Sequence, residues 1–216
     1  MSTATPFSWL DSNGWLVLSG LPDALGEIRA RALSRCDGAS DIAYISLAAD
    51  LGDALMDDMA ELGAPSGYVV DVEECDNNEI YERLNAAGMI VIEADHNVEA
   101  LGRLISQTVI SALQSALERG ALILFEGAAA SIAGERRLNA HGEWTAGLNF
   151  IQNALISPSA EGAMLRAEHG APPDVPVMVL ERGAALALGP ARQIETWGDG
   201  EVTISLRDPA CPPVKT

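Results

Sequence analysis

Residues 120–134 read GALILFEGAAASIAG, and the reading of this stretch decides the fold. Ala121 to Phe125 is an unbroken apolar run of strand length, and its lack of polar alternation suits a strand covered on both faces. The run stops at Glu126-Gly127, and a row of alanines with high helix propensity follows. A strand, a tight turn and a helix are predicted. In α/β enzymes such a turn often raises a nucleophile, because the helix N-terminus and nearby backbone N–H groups can stabilise an oxyanion. Here the turn carries no Ser, Cys or Thr.

Working outward, the segments on either side repeat the same rhythm. Trp15 to Ser19 predicts a buried strand, followed by a helix with Leu25, Ile28, Ala32 and Leu33 among its apolar positions. Ile42 to Leu47 is a second strand, and Leu51, Leu55, Met59 and Leu62 share one helical face. Tyr68 to Val72 is a third, then an acidic loop from Glu73 to Asp76 and a short helix from Asn78 to Ala86. Met89 to Ile92 is a fourth, and residues 97–119 carry the apolar spacing of a long amphipathic helix. Strands alternating with helices imply βαβ crossovers and a mostly parallel sheet, with ligand sites at the carboxyl ends of the strands. Beyond Gly134 the rhythm changes. Residues 135–144 read as a loop, 148–156 hold a strand candidate, and 160–168 suit a helix. Val177 to Leu180, Ala184 to Leu188, Gln193 to Trp197 and Val202 to Leu206 are short strands, with Asp199-Gly200 as a hairpin signal, so the end of the sheet is expected to be antiparallel.

A chain of 216 residues with 48% hydrophobic content can bury a sizeable core. One α/β domain is expected over residues 14–207, with a short irregular lead at 1–13 and a flexible tail at 208–216. The formal net charge of −18 argues against nucleic acid or an anionic membrane as a partner, since both would be repelled. No apolar run approaches the length needed to span a bilayer. Cys36, Cys75 and Cys211 lack metal-ligand spacing and do not form a disulfide framework, so a reduced cytoplasmic setting is expected, without metal or cofactor.

Four segments carry a family resemblance. GLNFIQNALI at residues 147–156 resembles the segment that precedes a catalytic histidine. Residues 182–186 (RGAAL) and 195–202 (ETWGDGEV) resemble closing hairpins. Residues 89–97 (MIVIEADHN) sit where a strand would run into a Gly-Gly-x-Gln turn, and the opening stretch sits at a Gly-Thr-Ser-Ala-Gly-Ala elbow. In this order the chain resembles the cyanophycinase and aspartyl dipeptidase group of serine peptidases, family S51. That group has the class I glutamine amidotransferase-like fold. The resemblance implies a three-layer α/β/α architecture, flavodoxin-like in its parallel part, and a homodimer.

The departures fall on the residues that do the chemistry. The family's nucleophilic serine becomes Gly127, or Glu126 if the register slips by one. Its Asp-x-His becomes Ser157-Pro158-Ser159, which puts Ser159 at the base position. Its closing carboxylate falls at Glu181-Arg182, and its oxyanion turn reads Glu93-Ala94. Ser-His-acid chemistry needs a hydroxyl or thiol within reach of an oriented base. His96, His141 and His169 are the only histidines, and none falls at that position.

The resemblance therefore implies a scaffold that has lost the mechanism and acts as a binding, regulatory or assembly subunit. Its former cleft would take a small-molecule ligand or a protein partner, with Glu93, Asp95, His96, Glu126 and Gly127 as the cleft candidates. Two hydrolase readings stand beside it, each directed at small peptides or amides. In one, Glu126 with Glu93, Asp95 or His96 is an acid-base centre. In the other, a displaced Ser131, Ser157 or Ser159 works with His141 or His169. Against the first stands a structural role in which Glu126 is held by backbone N–H groups or by Arg136, Arg137 or Arg182.

Overall fold

The computed structural model describes residues 7–22, 25–36, 40–46, 49–94, 102, 104, 106–139, 141–158 and 175–205. The strand at the opening stretch is β6, Leu122–Gly127, and every residue of it is buried. The other strands are β1 (Ser8–Trp9), β2 (Trp15–Ser19), β3 (Ile42–Ser46), β4 (Gly67–Asp71), β5 (Met89–Ala94), β7 (Arg136–Leu138), β8 (Trp144–Ala146), β9 (Ile151–Gln152), β10 (Leu155–Ser157), β11 (Val177–Leu180), β12 (Ala185–Leu188), β13 (Ile194–Trp197) and β14 (Val202–Ser205). The helices are α1 (Glu27–Arg35), α2 (Ala49–Glu61), α3 (Asn77–Ala86) and α4 (Gln107–Glu118).

Seven strands form the central sheet in the order β13-β12-β2-β6-β5-β3-β4. β6 runs parallel to both β2 and β5, and β3 runs parallel to β5 and β4. β12 is antiparallel to β2 and to β13, which closes that edge. The two faces of β6 divide the core by the period-two alternation of a strand. Ile123 and Phe125 pack in the layer with Leu84 of α3 and Leu113 and Leu117 of α4, whereas Leu122 and Leu124 pack in the layer with Ile28 and Ala32 of α1 and Leu55 and Met59 of α2. The result is the expected three-layer α/β/α arrangement around a mainly parallel sheet.

Local chemistry sets the element ends. Asp76 caps α3, its side chain accepting from the backbone N–H of Asn78 and Glu79. Ser106 caps α4 by accepting from the Val109 N–H. Asp71 accepts from the N–H groups of Glu73 and Glu74, so the acidic loop is a turn held by its own carboxylates.

Five sequence expectations need correction. Within the lead, Ser8–Trp9 is not irregular, because it pairs antiparallel with β9, and both Phe7 and Trp9 are buried. Residues 135–144 are not a loop, because β7 and β8 pair there as an antiparallel hairpin. Asp199-Gly200 does not close a hairpin: β13 pairs with β12 in the central sheet, and β14 pairs with β11 in a second, three-stranded sheet. The alanine row after β6 forms a 3₁₀ helix, Ala128–Ala133, not an α-helix. Leu25 lies ahead of α1 and is 77% exposed, so it belongs to no core face. The expected helix at 160–168 and the tail at 208–216 lie outside the described residues. Among the described residues no helix is long and apolar enough to cross a membrane.

Candidate functional site

β6 ends in a turn whose strain is concentrated at one residue. Gly127 has φ 57° and ψ −134°, a conformation that residues with a side chain rarely adopt. A nucleophile raised on a strand-to-helix turn occupies the strained position, so the backbone selects Gly127 over Glu126 as the elbow residue. The space is also tight. A Cβ at Gly127 would stand 3.0 Å from the Ala94 carbonyl oxygen, because β5 stays in register with β6 to its last residue. The Gly127 N–H donates to the Gly20 carbonyl at 3.2 Å, so this donor is used within the fold.

Glu126 belongs to the other face of the sheet. Leu122, Leu124 and Glu126 alternate onto the side covered by α1, and Glu93 is the register partner of Glu126 on β5. Both carboxylates meet Arg29 of α1. Its Nε lies 3.1 and 3.0 Å from the two Glu126 oxygens, its Nη2 lies 2.8 Å from Glu126 Oε2 and 3.3 Å from Glu93 Oε1, and its Nη1 lies 3.0 Å from Asp58 Oδ2. Glu126 is 1% exposed and Arg29 7%. Burial by itself would lower the Arg29 pKa, but Glu126 first, then Glu93 and Asp58, outweigh it and hold the guanidinium above its ordinary value. The arginine that holds Glu126 is thus Arg29, not Arg136, Arg137 or Arg182. A sequence signal existed: Arg29 sits inside the apolar stripe of Ile28, Ala32 and Leu33, where a charge needs a buried partner.

The other candidates are scattered. Glu181 and Arg182 are exposed between β11 and β12, and Arg182 Nη1 donates to the Pro22 carbonyl at 3.0 Å. His141 is exposed in the turn between β7 and β8, where its N–H donates to Asn139 Oδ1. Asp95, His96, Ser159 and His169 lie outside the described residues. No group of three or more His, Cys, Asp or Glu able to hold a metal occurs among the described residues.

Neither a family model nor a curated protein matches the sequence. Solved structures do match. A peptidase from an acI-B1 Actinobacterium superposes with a TM-score of 0.72 at 18% identity, over 91% of this chain and 93% of that one. A peptidase E-type protein from Listeria monocytogenes EGD-e gives 0.65 at 12% identity, over 86% of this chain and 98% of that one. The fold is peptidase E-like. At these identities the likeness concerns the fold alone.

Within this peptidase E-like fold, a pocket of about 160 Å³ lies beside the 3₁₀ helix, and Ser131, Arg136, Arg137, Trp144 and Ser157 are among the residues that line it. Ser131 Oγ donates to the Ala128 carbonyl at 2.8 Å, in the manner of a hydroxyl satisfied within its own turn. Ser157 is buried at the end of β10. Two of the three serines considered as displaced nucleophiles, Ser131 and Ser157, therefore share one pocket, while His141 is not among its lining residues and Ser159 lies outside the described residues. Arg137 is buried, and burial lowers the pKa of its guanidinium. What the sequence did not reveal is that Arg136 and Trp144 of the β7–β8 hairpin line the same hollow as Ser157 of β10.

Proposed function

We propose that this chain is a non-catalytic, peptidase-related protein of the S51 type, acting as a binding, regulatory or assembly subunit whose former cleft takes a small ligand or a protein partner. One observation carries the reading. The strained elbow position is a glycine, so no nucleophilic side chain stands there, and a Cβ placed on it would press to 3.0 Å from the Ala94 carbonyl oxygen. The carboxylate next to it offers no substitute, because Glu126 is buried under α1 and doubly bonded to Arg29. A general acid or base has to reach the reacting proton, and a buried carboxylate bound to a guanidinium on the opposite face of the strand does not.

The test is a panel of aspartyl and isoaspartyl dipeptides together with a serine-directed phosphonate. No turnover and no labelling are expected. Labelling lost in Ser131→Ala or Ser157→Ala would overturn the reading in favour of a displaced serine, and turnover lost in Glu126→Gln would overturn it in favour of acid-base hydrolysis. A homodimer is the expected assembly, read by light scattering on the eluted protein.

A further inference from the structure

Arg136 and Trp144 stand on one face of the β7–β8 hairpin. The register pairs Arg136 with Ala146 and Leu138 with Trp144, so these four residues share a face, and Arg136 is diagonal to Trp144 within reach of two long side chains. Both residues, with Leu155, line the pocket beside the 3₁₀ helix and also an adjoining hollow of about 210 Å³. Arg136 is exposed and forms no ion pair among the described residues. Arg29, Arg31, Arg35 and Arg83 each have an acid at hand, whereas the Arg136 charge is left to the hollows it lines. Arg137, next along β7, is buried and also lines the smaller pocket, adding positive potential to its wall. The rest of the smaller pocket is largely apolar, with Leu138, Leu155, Ile156 and Pro158. Glu135, Asn153, Ala154 and Val175 complete the larger hollow.

We propose that this face of the hairpin is a binding site for a small organic carboxylate with an apolar or aromatic body. The carboxylate would accept from the planar fork of Arg136, which suits two-point recognition. The body would lie against Trp144 and the aliphatic wall, where apolar area leaves water. The size of the two hollows fits a ligand of a single ring and a short acid arm better than a peptide chain.

The inference rests on the proposed binding role and deepens it, but its test does not depend on turnover. Phenylpropionate and phenylpropionamide are titrated into the full chain, followed by tryptophan fluorescence and by thermal shift. The acid is expected to bind and the amide to bind at least tenfold more weakly, with the affinity of the acid falling as salt is raised. Arg136→Gln, at an exposed position, is expected to keep its melting temperature and to weaken the acid by about tenfold, while Arg136→Lys restores part of the loss. Equal binding of acid and amide, or an unchanged affinity in Arg136→Gln, would overturn the site. Peptide turnover alongside normal carboxylate binding would overturn only the non-catalytic reading.

Discussion

Arg29 and Glu126 are 97 residues apart in the chain, yet Arg29 Nε donates to both Glu126 oxygens at 3.1 and 3.0 Å, and both residues are buried. The contact ties the first helix of the fold to the carboxyl end of its central strand. An ion pair of this kind contributes little over an apolar pair of the same volume, because both charges give up hydration. Removing one partner is a different matter.

Arg29→Met would remove the guanidinium that Glu126 and Glu93 share and is expected to cost about 3–5 kcal/mol. The double replacement Arg29→Met with Glu126→Leu should recover most of that loss. Urea unfolding of the single and double variants measures both, with unchanged m-values marking a comparable unfolded state.

At the elbow, Gly127→Ala is expected to destabilise by about 1–3 kcal/mol, since φ 57° with ψ −134° is strained for any side chain and the new Cβ meets the Ala94 oxygen at 3.0 Å. Gly127→Ser should lose a similar amount and gain no reactivity toward a phosphonate. Thermal unfolding and mass spectrometry after labelling read the two effects.

Tyr44 sits in the sheet layer under α1 and α2, and burial pushes its pKa up to about 12, opposed in part by Arg29. The unfolded chain loses this proton near pH 10, about two units earlier. The stability held by the neutral phenol is therefore complete below about pH 10 and is lost as pH rises through about 12. Chemical unfolding at pH 9 and pH 11 should show the decline, and Tyr44→Phe should make it shallower.

The connection between β12 and β13 holds Ala191 at φ 54° and Arg192 at φ 63°, two successive residues with side chains in left-handed backbone. Ala191→Gly should relieve about 1 kcal/mol of strain, partly offset by the freer unfolded chain, for a net gain of about 0.5 kcal/mol. Arg192 offers less, because its guanidinium lies 5.4 Å from the Trp9 ring centroid and contributes there. A small rise in melting temperature for Ala191→Gly is the expected result.

The parallel half of the sheet was legible because its strands are continuous apolar runs, a pattern that covered strands produce and few others do. Even the face of Glu126 follows from alternation with Leu122 and Leu124. What alternation leaves open is which helix covers that face, and so Arg29 was not identified as the partner. The β7–β8 hairpin was missed for a related reason. Arg136–Leu138 and Trp144–Ala146 are three residues each, half exposed and polar, and their pairing depends on tertiary context, not on hydrophobic rhythm. Asp199-Gly200 misled because a turn signal fixes the local bend and not the destination of the strand that follows. The arginine and tryptophan of the carboxylate pocket became visible only through that hairpin's register.

The placement of β12 bears on how the chain is made. β2 acquires one neighbour when β6 is complete, but its other edge stays open until residues 185–188 arrive and pair with residues 16–19. On a ribosome adding about 5–20 residues per second, the apolar edge of Leu16, Val17 and Leu18 would wait several seconds or more without its second partner. An unpaired edge of that composition invites other chains. Expression at lower temperature, or with a chaperone that shields nascent strands, should therefore improve the yield of folded protein more than any change at the elbow.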